Sequence, residues 1–308
     1  MLYPLVLGPV LKDYLWGGTK LKTIYHKDGV FPKIAESWEL ACHREGVSRI
    51  ENGAYAGMTL NEYLEKEGCS VLGNGKEELP LLIKIIDTAD SLSIQVHPDD
   101  AYAAIHENGQ DGKTELWYIM ECEPGAALYY GFQKEISKAE FKKRAADGTI
   151  TEVLNKVKVR KGDVFLIKPG TVHAIGKNMT VAEIGTNSNI TYRIYDFGRT
   201  DAQGNPRPLH IEQAADVLHF REPAVYRLDQ PLDCGTFQIE KIELCEKGQV
   251  LCADESSFHN LLCVEGTGTL TYQSGVIEIP AGKDVFVPAG LGDYTLSGQA
   301  TLLKTFLQ

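Results

Sequence analysis

The feature of this sequence that most constrains its fold is a strand–turn–strand pattern that occurs twice. The first copy, residues 159–173, reads VRKGDVFLIKPGTVH, and the second, residues 279–294, reads IPAGKDVFVPAGLGDY. In both copies Gly and Asp precede a short apolar run, and a turn with Pro and Gly follows it, Pro-Gly in the first copy and Pro-Ala-Gly in the second. The repeat predicts two related β-domains. The first copy ends in His173, whereas the second has no histidine near the corresponding position.

Short runs of β-branched and aromatic residues, separated by Gly, Pro and Asp, continue this pattern through much of the chain. Many short strands at such spacing are typical of a sandwich or barrel. The Gly-Thr-Gly-Thr segment at 266–269 is too short for a dinucleotide loop and fits a hairpin turn. We predict strands over residues 81–86, 92–96, 116–120, 164–168, 261–264, 269–272 and 285–287.

Helices are predicted at a few places only. Three Ser or Thr residues are followed three positions later by Glu, which is the spacing of a capping box. A run with apolar residues at 211, 214, 215 and 218 has helical spacing. The predicted starts are Thr59, Asp99 or Asp100, Ser137, Thr149 and Ile211. The fold class is therefore mostly β, with two β-sandwich or barrel domains, 1–225 and 226–308, and a few added helices.

Composition excludes several classes of function. The 308 residues carry 31 Lys+Arg and 42 Asp+Glu, a formal net charge of −11, which argues against nucleic acid as a partner. No apolar stretch approaches the length of a membrane span, and the N-terminus lacks the features of a signal peptide. Seven cysteines without a CxxC motif fit reduced thiols in the cytoplasm. Cys42 precedes His43, a weak candidate for a catalytic thiol.

Four side chains in the first predicted β-domain form a candidate metal site. Gln95 and His97 lie two residues apart, so on a strand they share one face with Cα atoms ~6.6–7 Å apart. Glu115 stands at the start of an apolar run, and His173 follows the Pro-Gly turn. An amide, two imidazoles and a carboxylate suit zinc, and iron or manganese tolerates the same set. Taken singly, each residue could also be structural.

Residues 92–99, LSIQVHPD, closely resemble the signature of the type I mannose-6-phosphate isomerases. The resemblance extends to residues 12–18, 35–39, 113–118, 169–174 and 187–199. It implies a cupin fold and one zinc ion per chain. It maps the metal ligands onto Gln95, His97, Glu115 and His173. It also implies the interconversion of mannose 6-phosphate and fructose 6-phosphate through an enediol. The length resembles the short bacterial form of the family.

The same resemblance places the catalytic arginine at Arg193, where a guanidinium would stabilise an enediolate. Lys113 matches a family lysine, and a neighbouring dication would lower its pKa towards that of a useful base. Larger members carry an acidic residue where this chain has Asn189, which leaves Lys113, Asp196 or a water on the metal as the base. Ser93 and Lys84 match positions near the substrate site, and a lysine inside an apolar run needs an anionic partner.

Two other functions remain open at this stage. One is a cupin isomerase or oxygenase that uses another substrate or metal. The other is a non-catalytic sugar-phosphate-binding protein, which would have no need of Arg193 and Lys113 beside a metal. Fold alone does not separate these possibilities. A small sugar phosphate is the expected partner, and the sequence leaves the oligomeric state undetermined.

Overall fold

The computed structural model describes residues 2–73, 75–200, 203–224, 226–245 and 247–307. Strands dominate, in three antiparallel sheets and one short hairpin, as the sequence pattern predicts. None of the helices in these ranges is both long enough and apolar enough to cross a bilayer. The strands are β1 Leu5–Gly8, β2 Val10–Lys12, β3 Glu36–Leu40, β4 Cys42–His43, β5 Gly46–Val47, β6 Arg49–Ile50, β7 Leu81–Thr88, β8 Ile94–Val96, β9 Glu115–Cys122, β10 Ala127–Phe132, β11 Leu154–Lys158, β12 Val164–Ile167, β13 His173–Ala174, β14 Met179–Thr186, β15 Tyr192–Tyr195, β16 Leu232–Asp233, β17 Phe237–Glu243, β18 Gln249–Ala253, β19 His259–Tyr272, β20 Gly275–Pro280, β21 Asp284–Val287 and β22 Gly292–Leu307.

The N-terminal region is a sandwich of two sheets. One has six strands in the order β12-β9-β14-β7-β3-β2, and the other has five in the order β11-β10-β13-β8-β15. Trp117 and Ile119 of the first sheet share one buried apolar cluster with Leu128 of the second sheet and with Ile175, which directly follows a strand of that sheet. Removing such side chains from water is the main force that holds two sheets face to face. The predicted metal ligands come from both sheets.

The C-terminal sheet has nine strands along the path β16-β17-β22-β19-β21-β1-β6, with β18 and β20 paired at β22 and β19. Its sixth strand, β1, comes from the start of the chain: Leu5 lies opposite Phe286 and Val6 opposite Val285. The C-terminal sheet is therefore completed by two strands from the first 50 residues, β1 and β6.

The prediction of a hairpin turn at residues 266–269 is wrong. Residues 259–272 form one continuous strand, in which Thr267 lies opposite Gln299 and Gly268 opposite Gly298. The register shifts between Cys263 and Glu265, and Gly266 adopts a φ of 74°. A β-bulge with glycine at positive φ bends a strand without ending it. The glycines therefore mark a bend within the predicted strand pair.

Five α-helices lie within the described ranges: α1 Lys20–Thr23, α2 Leu60–Glu67, α3 Asp100–His106, α4 Lys138–Ala146 and α5 Ile211–Val217. The capping box at Thr59 is formed in full. The side chains of Asp99 and Ser137 likewise accept from Tyr102 N and Glu140 N. Thr149 forms no side-chain cap, and only a 3₁₀ turn, Ile150–Glu152, follows it. Four of the five predicted helix starts are thus confirmed.

The two repeat copies match in backbone conformation. Gly162 and Gly282 have φ values of 88° and 86°, and Gly170 and Gly290 have values of 80° and 78°. These angles lie in the left-handed region, where glycine alone among the residues is unstrained. The paired turns precede β13 in the first copy and β22 in the second.

Candidate metal centre

Three of the predicted ligands meet between the two sheets of the sandwich. The candidate ligand atoms of His97, Glu115 and His173 all lie within 4.8 Å of one another. The Oε1 atom of Glu115 lies 3.5 Å from His97 Nε2 and 3.4 Å from His173 Nε2. All three side chains are completely enclosed. No second group of three such residues is found elsewhere in the described chain.

The strand register brings these side chains together. His173 on β13 lies directly opposite Gln95 on β8, so their side chains share one face. His97 follows Gln95 by two residues and keeps that face. The turn before His173 is tied to the same place, because Gly170 N donates to His97 O at 3.0 Å. Glu115 reaches in from the start of β9 in the opposite sheet.

Gln95 is the fourth predicted ligand, and it borders the cluster. Its Nε2 lies 3.3 Å from His173 Nε2, and its Oε1 lies 3.4 Å from Ser93 Oγ. Rotation of the amide by half a turn exchanges its oxygen and nitrogen with little change of shape. Gln95 therefore offers either a donor or an acceptor to the same point.

The outer hydrogen bonds of the two imidazoles fix their tautomers. His97 Nδ1 lies 2.6 Å from Ile190 O, and His173 Nδ1 lies 2.8 Å from Thr171 O. A carbonyl oxygen only accepts, so each Nδ1 carries the proton. A neutral imidazole then has a lone pair on Nε2, the atom that faces Glu115.

The charge states follow from burial. Burial lowers the pKa of His97, and the positive charge of Lys113 lowers it further. Burial, and in second place electrostatic repulsion by His97, lowers the pKa of His173 to about 3. Burial acts to raise the pKa of Glu115, but Lys113, followed by His97, outweighs it and holds this pKa well below its usual range. At neutral pH the neutral imidazoles of His97 and His173 therefore present nitrogen lone pairs beside the ionised carboxylate of Glu115.

This arrangement fits a divalent cation. His97 Nε2 and Glu115 Oε1 are buried without a hydrogen-bond partner among the described residues. Unpartnered buried acceptors are costly, and a cation between them removes that cost. Nitrogen and oxygen donors of this kind suit zinc, with iron and manganese as chemical alternatives.

A cleft of about 310 Å³ opens beside the cluster. It is lined by five residues that the sequence singles out: Lys84, Ser93, Gln95, Lys113 and Arg193. Arg193 on β15 lies opposite Gln95, so His173, Gln95 and Arg193 form a row across three neighbouring strands. The predicted site residues are thus brought to one place.

A buried ion network forms one wall of this cleft. Lys113 Nζ lies 2.5 Å from Glu115 Oε2 and 3.2 Å from Glu183 Oε1. Lys84 Nζ lies 3.4 Å from the same Glu183 oxygen and 3.7 Å from Glu36 Oε2. Burial acts to lower the pKa of Lys113, but Glu115 and then Glu183 outweigh it and raise this pKa above its ordinary value. Lys113 is therefore an ammonium at neutral pH.

Asp196, the other candidate base on the chain, and Asn189, which stands where larger relatives carry an acid, differ in their surroundings. Asp196 accepts from both Arg199 and Arg207, and these bonds lower its pKa although burial acts to raise it. Asn189 accepts from Lys84 at 3.1 Å and donates to Glu45 at 3.1 Å. Asp196 is engaged by two guanidiniums, so its oxygens are not free to act as a base.

Glu183 is the residue that the sequence analysis missed. It lies in the middle of β14, which is buried along its whole length. A single carboxylate among the apolar residues 181, 182 and 184 is the same kind of signal that marks Lys84, since a buried charge needs a partner. At Cys42, in contrast, burial raises the pKa of the thiol to about 12, which disfavours the thiolate that a catalytic cysteine needs.

Two family models and several curated relatives match this chain. Residues 5–119 match the family model of the phosphomannose isomerase type I catalytic domain, and residues 231–307 match that of the mannose-6-phosphate isomerase cupin domain. The mannose-6-phosphate isomerase ManA of Bacillus subtilis is 35% identical over 317 residues, which cover 99% of each chain.

Solved structures show the same fold. The crystal structure of a mannose 6-phosphate isomerase from Bacillus subtilis has a TM-score of 0.90 and 32% identity, covering 98% of this chain and 99% of that one. A structure described as a zinc-bound holo mannose 6-phosphate isomerase has a TM-score of 0.80 over 99% of both chains. At 18% identity the latter supports the fold alone.

The fold and the site thus define a β-sandwich protein of the cupin type with a buried histidine–carboxylate centre. The chain belongs to the type I mannose-6-phosphate isomerase family.

Proposed function

We propose that this protein interconverts mannose 6-phosphate and fructose 6-phosphate and that it uses one zinc ion. The observation that carries this proposal is the set of buried acceptors on His97, Glu115 and His173 beside a charged cleft. The family relatives named above support the substrate, and the donor chemistry supports the metal. His97, Glu115, His173 and Gln95 would hold the ion.

When bound, zinc supplies a Lewis acid that polarises the sugar oxygens. The chain's own residues bind the sugar around that point. Ser93 is buried with its hydroxyl between Gln95 and Arg193, at 3.4 and 3.3 Å, and offers a donor or acceptor to a sugar oxygen. Lys84 offers its ammonium from the strand opposite Glu183. Both line the cleft.

The reaction moves one proton between two carbons. Glu36 and Glu183 both line the cleft, and Glu183 is the one that contacts Lys113, at 3.2 Å. We assign it as the base that removes the proton from C2 of the open-chain aldose and returns it to C1. Lys113 donates a proton to O1 as the enediol forms and takes one from O2 as the ketone forms. The two transfers leave every proton accounted for and both side chains as they began.

Arg193 completes this assignment. Its guanidinium stays charged and lies opposite Gln95 in the row of strands that also carries His173. It stabilises the negative charge that develops on the enediol oxygens. An acid, a base and a cation beside one cleft favour an enzyme over a protein that only binds sugar phosphates.

The cellular compartment of the protein is also part of the proposal. All seven cysteines fall within the described ranges and are free of disulfides, which supports a reducing compartment such as the cytoplasm.

The test is conversion of mannose 6-phosphate to fructose 6-phosphate before and after chelation, with metal content recorded. We expect activity to be lost with the metal and restored by added zinc. Folded, metal-replete protein that converts no mannose 6-phosphate would contradict the proposal.

A further inference from the structure

We propose that Arg207, a residue outside the sequence motifs, anchors the phosphate of the substrate at the arginine-lined side of the cleft. This inference rests on the proposed function, because it assigns one group of the proposed substrate. Arg207 lines the same cleft as Arg193 and Ser93. Its side chain is 31% exposed, so its guanidinium is open to a ligand.

The position of Arg207 is fixed before any ligand arrives. Its Nε and Nη2 donate to the two carboxylate oxygens of Asp196 at 2.7 and 2.6 Å, a bidentate pair. Pro206 and Pro208 flank it, and proline restricts both its own backbone and that of the residue before it. The guanidinium is therefore held with two of its five N–H groups engaged by Asp196.

Arg193 is tied to the same segment. Its Nη1 donates to Pro208 O at 3.0 Å, and its backbone exchanges hydrogen bonds with His210 at 2.7 and 3.1 Å. Arg193 and Arg207 line the same cleft, and Arg207 is near enough for its positive charge to act on Arg193. Two braced guanidiniums in one cleft suit the several oxygens of a phosphate.

The distribution of charge favours this side over the lysines. Lys84 and Lys113 are paired with the carboxylates of Glu36, Glu115 and Glu183, so two ammoniums face three carboxylates. In the arginine group, Arg199 and Arg207 pair with Asp196, Asp90 lies 3.6 Å from Arg199, and Arg193 adds a third positive charge, so three guanidiniums face two carboxylates. The uncompensated positive charge of the cleft therefore lies with the arginines.

Arg199 provides a matched control. It pairs with the same carboxylate of Asp196, but its Nη1 donates to Ser91 O at 2.5 Å, and it does not line the cleft. Replacing it removes one cationic partner of Asp196, as R207A does, without removing a guanidinium from the cleft.

The experiment compares Arg207→Ala and Arg199→Ala with the wild-type holoenzyme by kcat, KM for mannose 6-phosphate, inhibition by inorganic phosphate and metal content. We expect R207A to raise KM about 30-fold and to weaken phosphate inhibition similarly, the loss of one charge-assisted contact. We expect kcat and metal content to change less than about threefold, and R199A to keep its KM. Unchanged KM in R207A, or an equal rise in R199A, would overturn the inference.

Two further measurements keep the outcome clear. Arg207→Gln keeps a long side chain that hydrogen-bonds Asp196, so it replaces R207A if the alanine variant does not fold. If the wild-type protein converts no substrate, the proposed function fails, and calorimetric titration with inorganic phosphate then tests the anchor alone. Phosphate binding that R207Q abolishes would support it, and equal binding by both proteins would overturn it.

Discussion

Glu183→Gln is the substitution that most directly probes the proposed proton transfer. The change removes one negative charge and the basic oxygen but keeps the shape of the side chain. Its amide oxygen still accepts from Lys113, now 3.2 Å away, and Lys113 retains its closer partner Glu115 at 2.5 Å. No buried ammonium is left without an anion, so the fold should lose only ~1–3 kcal/mol of stability.

The effect on turnover should be much larger. A positioned general base contributes roughly 10²–10⁴ in rate, so kcat of E183Q should fall at least about 100-fold, or ~2.7 kcal/mol. The KM for mannose 6-phosphate and the metal content should change little, because Glu183 is not one of the proposed metal ligands.

Glu36→Gln is the matched control for that assay. Glu36 lies 3.7 Å from Lys84 in the same network, lines the same cleft, and loses the same unit of charge on substitution. Its oxygen also accepts from Trp38 Nε1 at 2.6 Å, a bond that glutamine retains. We expect E36Q to keep kcat within about tenfold of wild type, since it lacks only a charge. An E183Q enzyme within threefold of wild-type kcat, or an equal loss in E36Q, would refute Glu183 as the base.

Three further predictions concern the metal ligands, Arg193 and a buried histidine of the C-terminal sheet. His97→Ala and His173→Ala should each lose metal together with activity, as measured by elemental analysis and turnover; full metal and rate in either variant would remove that residue from the ligand set. Arg193→Ala should bind metal normally yet lose about 10²-fold or more in kcat, and an unchanged rate would exclude it from the reaction. Burial followed by Lys304 lowers the pKa of His259 to about 4, so between pH 6.5 and about 4 the unfolded chain binds a proton there that the folded chain does not. The free energy of unfolding should therefore decrease as the pH is lowered through that window. His259→Gln should reduce the slope of unfolding free energy against pH by about 1.4 kcal/mol per pH unit, and an identical slope would contradict this.

Much of the metal centre could be predicted because its signals are local. The period of two along a strand puts Gln95 and His97 on one face, and the Pro-Gly turn before His173 marks the start of the next strand. The structure brings these residues and Glu115 together. Their roles as ligands stay predictions that the metal measurements above test.

Glu183 was missed because its neighbourhood depends on long-range register. It meets Lys84 on β7 and Trp117 on β9 only because β14 pairs with both strands in one alignment. A shift of one residue would turn Glu183 to the opposite face. Nothing in the local sequence states that alignment.

The wrong hairpin and the unforeseen first strand have related causes. Glycine near 266 signals both turns and bulges, and the partner strand β22 decides which one forms. The pairing of β1 with β21 joins the two ends of the chain, a contact that no local pattern encodes. The division into 1–225 and 226–308 follows the repeat and cannot include such a crossing strand.

The role of Asp196 shows the same limit. From sequence it was one of several candidates for a base, since carboxylates near an arginine segment fit that role. In the structure Arg207, eleven positions further along, occupies both of its oxygens. The partner of a carboxylate decides whether it can accept a proton or instead holds an arginine in place, and that partner is set by tertiary structure.

The most direct test of the central claim is anomalous X-ray diffraction at the zinc absorption edge from crystals of the zinc-loaded protein. We expect one strong peak per chain, between Nε2 of His97, Oε1 of Glu115 and Nε2 of His173. A fully folded, zinc-loaded chain with no peak among these atoms, or with its peak elsewhere, would contradict the claim that this buried cluster is the metal centre.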